Sequence, residues 1–154
     1  MKRAGGEPSP ELPARKPKGP KVEPPVCNVA NLLEICDEDV DFAVELVGDG
    51  GGEMAGHAAK AVERATARDD DWLTKLKTRA HSIKGVAGNL GMERLQAHAA
   101  TTESWARERE KEEAEVGDGA LALAKAERLV ALVAEVVEWG LTARESLEAH
   151  AAEA

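Results

Sequence analysis

His81, Lys84, Gly85 and Gly88 are the residues whose types and spacing can do chemistry in this chain. An imidazole open to water is largely neutral at pH 7, and the neutral ring is a nucleophile. Lys84 follows His81 by three residues, about one helical turn, and can offset negative charge placed on that ring. Gly85 and Gly88 leave bare backbone beside the histidine if the segment is helical. Glycine inside a helix costs about 1 kcal/mol relative to alanine. Two of them on one strip point to the close approach of another surface. The plainer alternative is an ordinary surface histidine beside a surface lysine.

These residues need a helix to position them, and the pattern predicts one beginning near Asp71. Winding residues 73–90 at about 100° per residue gathers Leu73, Leu76, Ala80, Ile83, Ala87 and Leu90 into one apolar stripe. Such a stripe is a core face. His81 falls on the side facing water, and Thr74, Lys77, Lys84, Gly85 and Gly88 share its strip. Asp69, Asp70 and Asp71 supply a cap and negative charge at the helix N-terminus. Gly91 is expected to end the helix in a left-handed cap.

The pattern His-x-x-Lys-Gly-x5-Gly, formed by His81, Lys84, Gly85 and Gly91, resembles the signature of histidine-containing phosphotransfer (HPt) domains. Ala80, Ile83, Ala87, Asn89 and Leu90 also read like that family, as do Leu95 and Glu103 further on. The likeness spans roughly residues 28–150 and is close over 80–103. It implies an antiparallel four-helix bundle whose histidine, His81, carries a phosphoryl group between the aspartates of two receiver domains. It also implies that the partners are receiver domains of hybrid histidine kinases and of response regulators. Magnesium then belongs to the receiver's acidic pocket, so the chain itself needs no cofactor and no metal. Gly85, Gly88 and Lys77 are the expected docking surface. A helical docking or adaptor module with an unused histidine is the alternative.

The next helix is expected from Met92 to about Glu112, with Met92, Leu95, Ala99, Thr102 and Ala106 as its core stripe. Gln96, Ala100, Glu103 and Arg107 share one flank of it. If this helix returns antiparallel on its predecessor, as a short connection implies, the flank passes near His81. Glu103 then accepts the proton of one imidazole nitrogen and leaves the other free to attack. Glu103 also stands where the resembling family places a Glu or Gln that bonds the active histidine. Equally open is a surface glutamate paired with Arg107 at i+4.

Composition narrows the class. The chain has 154 residues, 43% hydrophobic but only 3% aromatic, with abundant alanine, which favours closely packed helices over a β-sandwich. A net charge of −9 argues against nucleic acid as the main ligand. Cys27 and Cys36 are too few for a disulfide framework and lack companions for zinc, which suggests a reducing compartment. The longest apolar run, Leu129–Ala134, is far too short to span a bilayer, and no secretory signal follows Met1. The expected location is the cytoplasm, with the nucleus as a second compartment. The Met1 start favours a stand-alone monomeric carrier over a piece of a larger kinase. No nucleotide-binding glycine loop is visible, so the chain is not read as a kinase.

All seven prolines lie within residues 1–25. This stretch holds six basic and three acidic residues, which leaves −12 for the rest of the chain. Residues 1–26 are expected to form a disordered Pro/Lys-rich tail, and 27–154 the bundle. A targeting signal on Arg15–Lys21 is the functional alternative for the tail. Asn28 should cap a short helix through Cys36. A second helix should start after Asp37 or Asp39 and run from Val40 to Val47. Gly48-Asp49-Gly50-Gly51-Gly52 is expected to interrupt it, with helix resuming from Met54 to Thr66. As a phosphate cradle that glycine run fails, having no Gly-Lys-Ser/Thr after it and no strand before it. His57 and His98 lack metal-spaced partners. Residues 112–119 read as a charged loop, and one last helix is expected from Ala120 to Ala149, locally weak at Gly140. Val130, Val133, Val137 and Leu141 make a second apolar row on it, either packing surface or dimer face.

Overall fold

The computed structural model describes residues 23–112 and 117–153. Within them the chain forms six helices: α1 (Val29–Ile35), α2 (Val40–Ala67), α3 (Trp72–Leu90), α4 (Glu93–Lys111), α5 (Asp118–Thr142) and α6 (Arg144–Glu153). The long helices α2 to α5 make the four-helix bundle. Contacts between neighbours run in opposite order along each pair, so the helices are antiparallel. Between α3 and α4, for example, Lys77 meets Glu110, His81 meets Glu103, and Gly88 meets Gln96. The small α1 and α6 pack together and against α2 near its N-terminal end. Most of the expected tail, residues 1–22, and residues 113–116 of the expected charged loop lie outside the described residues. Residues 23–26 lie against the bundle: Arg94 Nε donates to Pro24 O at 2.9 Å, and Arg94 also pairs with Glu23 at 3.1 Å.

Local chemistry explains the ends. Asn28 caps α1, its side chain accepting from Asn31 N at 3.1 Å. Asp39 caps α2 in the same way through Phe42 N at 3.0 Å. Gly91 ends α3 at φ 73°, the left-handed conformation that glycine adopts most cheaply. Asn28 N donates to Gly91 O at 2.7 Å, which latches α1 onto the α3–α4 connection. At the start of α3 the expectation needs correction. Asp71 occupies the N-cap position at φ 61° and makes no side-chain cap bond. The Asp69 carboxylate turns instead to Arg64 at 3.2 Å.

The expected break at Gly48–Gly52 does not occur, because α2 runs unbroken through all five residues. Tertiary packing overrides propensity here. Ala43, Val47, Met54 and Ala58 keep one buried stripe across the glycines. Gly50 and Gly51 sit where neighbouring helices come close. A methyl group at position 50 would lie 2.6 Å from Leu90 Cδ1 on α3, and one at 51 would lie 3.2 Å from Val137 Cγ2 on α5. Gly48 and Gly52 face open space, with nothing near an added methyl. Gly48→Ala and Gly52→Ala are therefore expected to stabilise the protein by about 0.5–1 kcal/mol each. Thermal melts check this, and Gly50→Ala should show no such gain.

The single last helix is also corrected. The helix is interrupted at Ala143, which separates α5 from α6 although its own backbone stays in the helical region at φ −79° and ψ −19°. The Thr142 hydroxyl donates to Trp139 O at 3.4 Å, the carbonyl that a continuing helix would give to the amide of residue 143. Beyond the interruption, the side chain of Leu147 is fully buried in the main core with Leu32, Leu33 and Val47. Gly140 marks close approach, since a methyl there would lie 2.9 Å from Val47 Cγ1. In the second apolar row Val133 is buried, while Val130, Val137 and Leu141 remain exposed beside α2.

Candidate functional site

The stripe Leu73, Leu76, Ala80, Ile83, Ala87 and Leu90 is buried as a unit, which turns the opposite face of α3 outward. His81 stands in the middle of that face with its side chain 66% exposed. Facing it on α4, the buried stripe Leu95, Ala99, Thr102 and Ala106 fixes the rotation of that helix. Glu103, adjacent to Thr102, is thereby carried into the α3–α4 seam, where only 5% of its side chain is exposed.

Three groups converge on this one carboxylate. His81 Nδ1 lies 2.9 Å from Glu103 Oε2, Lys84 Nζ lies 2.7 Å from Oε1, and Arg107 Nη2 lies 2.9 Å from Oε2. Glu103 contacts both the imidazole and Arg107, and it lies buried in the seam where the second reading expected a surface glutamate. Burial alone would push the Glu103 pKa up, but the hydrogen bonds and charges of Lys84 and His81 outweigh it, and the carboxyl stays below its ordinary range. Glu103 is thus ionised and can only accept. The His81 Nδ1–H donates to it, which leaves the Nε2 lone pair on the exposed side of the ring. Two cations against one carboxylate give the site a net positive charge.

The remaining predicted residues divide. Gly85, one turn after His81, faces open space. Gly88 is covered, because a methyl group there would lie 2.8 Å from Gln96 Nε2. Lys77 lies further along α3 and pairs with Glu110 Oε1 at 2.6 Å, while Thr74 Oγ1 donates to the other oxygen of that carboxylate. Lys77 therefore belongs to a separate ion pair from that of His81. Arg107 was placed on the right flank by periodicity, but its share in the His81 carboxylate shows only when the helices are docked. His57 Nδ1 accepts from Arg79 at 3.0 Å. Among the described residues no group of three or more His, Cys, Asp or Glu side chains is placed to hold a metal ion, and no helix is long and apolar enough to cross a membrane.

His81 thus stands outward on a helical bundle, braced by a carboxylate from the next helix. The Hpt domain family model matches residues 52–139, more than half of the chain, and the protein belongs to that family. Hpt domains work in histidine phosphotransfer within two-component phosphorelays, interact with receiver domains and are not kinases. No curated protein and no solved structure is significantly similar to the chain.

The brace predicts a graded response. Glu103→Ala is expected to slow phosphoryl transfer about 10- to 100-fold, because the ring loses its orientation. Glu103→Gln retains an oxygen that accepts from Nδ1 and should recover much of the rate. The pH dependence has a definite sign. The folded pKa of Glu103 lies below its ordinary 4.5, so its ionic contribution to stability is complete above that pH and disappears as pH falls through the folded value. The difference in thermal midpoint between wild type and Glu103→Gln should shrink on acidification below pH 4.5. A midpoint difference independent of pH would show that the carboxylate contributes no ionic stability.

Proposed function

We propose that His81 accepts a phosphoryl group from a receiver-domain aspartate and passes it to the aspartate of another receiver. The observation that supports this is the pairing of an exposed ring with a buried, ionised Glu103 on its Nδ1. Nε2 attacks the phosphorus of the aspartyl phosphate. The Nε2–P bond forms, the bond to the aspartyl oxygen breaks, and the aspartate leaves as a carboxylate. The ring then bears positive charge, which Glu103 balances through Nδ1–H. Lys84 and Arg107 offset the charge of the phosphoryl group. A second receiver reverses the sequence. One chain supplies every group of this site, so the carrier works as a monomer. Cys27 and Cys36 are buried free thiols, and burial pushes the Cys27 thiol up to about 12, which keeps it protonated and unreactive.

The test is incubation with a receiver carrying labelled phosphoaspartate, followed by addition of an unlabelled receiver. Label should enter the protein in an acid-labile, alkali-stable form and then leave to the second receiver. No uptake from any receiver would favour the adaptor reading.

A further inference from the structure

The bundle is acidic, yet α3 carries Lys75, Lys77, Arg79 and Lys84 and no acidic residue between Trp72 and Leu90. Lys77 and Lys84 are neutralised by Glu110 and Glu103 on α4. On the opposite flank, toward α2, the balance differs. Lys60 and Arg64 of α2 and Lys75 and Arg79 of α3 line one open groove. Lys60 and Arg64 share Glu63 at 3.7 and 3.3 Å, and Arg64 also meets Asp69. Among the described residues neither Lys75 nor Arg79 has a carboxylate partner. Arg79 instead donates to His57 Nδ1 at 3.0 Å, which anchors the guanidinium to α2, and the nearest carboxylate in that chain, Glu53, lies on the far side of the imidazole, 3.8 Å from Nε2. Arg79 and Lys75 precede His81 by two and six residues on α3, about 160° and 120° around the helix from it, so they flank the exposed face from the other side.

A groove with an excess of positive charge, on the α2 flank of the helix that carries the phosphoacceptor histidine and on a molecule that is otherwise negative, fits an anionic protein surface. The donor receiver is one: its phosphoaspartyl group and the carboxylates that hold its magnesium are anionic. We infer that the α2–α3 groove is a second contact area for the phosphoryl-donating receiver, in which Lys75 and Arg79 steer its acidic rim toward His81. This rests on the carrier reading of His81. The contribution is one of encounter: like other steering charges it raises the association rate, fades with salt and leaves the bound reaction alone.

Transfer from a phosphorylated receiver to wild type and to Lys75→Glu/Arg79→Glu tests this, with rates followed across receiver concentration and from low to about 0.5 M salt. At low salt the double variant should lose about 10- to 100-fold in second-order transfer rate. Its saturating rate should be unchanged, and the difference should close as salt rises. Arg128→Glu/Arg144→Glu alters net charge equally on α5 and α6 and should have little effect. Lys75→Gln/Arg79→Gln gives a smaller loss and carries the test if charge reversal perturbs folding. Phosphoramidate, a small donor that needs no docking, should label His81 equally in all of them. If phosphoramidate fails on wild type, the carrier reading fails and not the groove alone. Equal receiver transfer by wild type and variants, or a drop in saturating rate with unchanged salt dependence, would overturn the steering role. Unchanged transfer with loss of tripolyphosphate binding would assign the groove to a small polyanion instead.

Discussion

His81→Gln is expected to bring phosphoryl uptake to background while leaving the melting curve within about 0.5 kcal/mol of wild type. The side chain is 66% exposed, so its replacement creates no cavity, and a glutamine amide can still donate to Glu103. It has no ring nitrogen to attack phosphorus. The other described histidines offer no substitute. His57 has Nδ1 engaged by Arg79, with Glu53 3.8 Å from Nε2. His98 is half-buried, its Nε2 3.4 Å from Lys125 O, and burial holds its pKa below the ordinary value. None of the three, His150 of α6 included, has a buried carboxylate within hydrogen-bond distance of a ring nitrogen. Ser82, the immediate neighbour, would give an acid-stable ester, so label chemistry separates it from His81. Retention of more than about a tenth of the acid-labile label in His81→Gln would move the phosphoacceptor elsewhere.

Gly85→Gln should preserve or raise stability and yet lower transfer from a receiver by about 100-fold. The position is exposed, nothing lies near an added methyl, and glutamine is the better helix former by roughly 0.5–1 kcal/mol. Gly85 is one turn from His81 on the same face. A phosphoaspartate recessed in its receiver is reached only if the two surfaces close tightly around the imidazole. A long side chain at 85 holds them apart, and about 1 Å of misplacement can cost on the order of 100-fold in rate. Phosphoramidate labelling should be normal. Normal transfer from both donors would mean that the receiver does not close over this turn.

The amphipathic pattern of α3 conveyed most of its place in the bundle. Six apolar residues at helical spacing are all buried, and His81 stands outward as the same pattern requires. Gly91 and Asn28 worked as end signals because their conformational and hydrogen-bonding preferences are local. The glycine run in α2 misled for the converse reason. Propensity weighs each glycine alone, whereas Gly50 and Gly51 are where α3 and α5 need a flat surface. The interruption at Ala143 carries no proline or glycine to announce it, and beside it the Thr142 hydroxyl donates to Trp139 O. At the site, Glu103 was found from its spacing, but the convergence of Lys84, Arg107 and His81 on its two oxygens needs two docked helices. The α2–α3 groove was missed, although the absence of acidic residues from α3 is visible in the chain itself.

The connection between α3 and α4 consists of Gly91 and Met92 alone, and Met92 is fully buried. It acts as a length gauge for the site. Each added residue in a helix advances it by about 1.5 Å and turns it by about 100°. If α4 slides along its groove to absorb one inserted residue at this bend, Thr102 stands at the place of Glu103, and one deleted residue brings Ser104 there. The protonation of the nucleophile is therefore encoded in the number of residues at a bend far along the helix from it. Substitution at the surface leaves that count untouched, whereas a single insertion or deletion between Leu90 and Glu93 erases it.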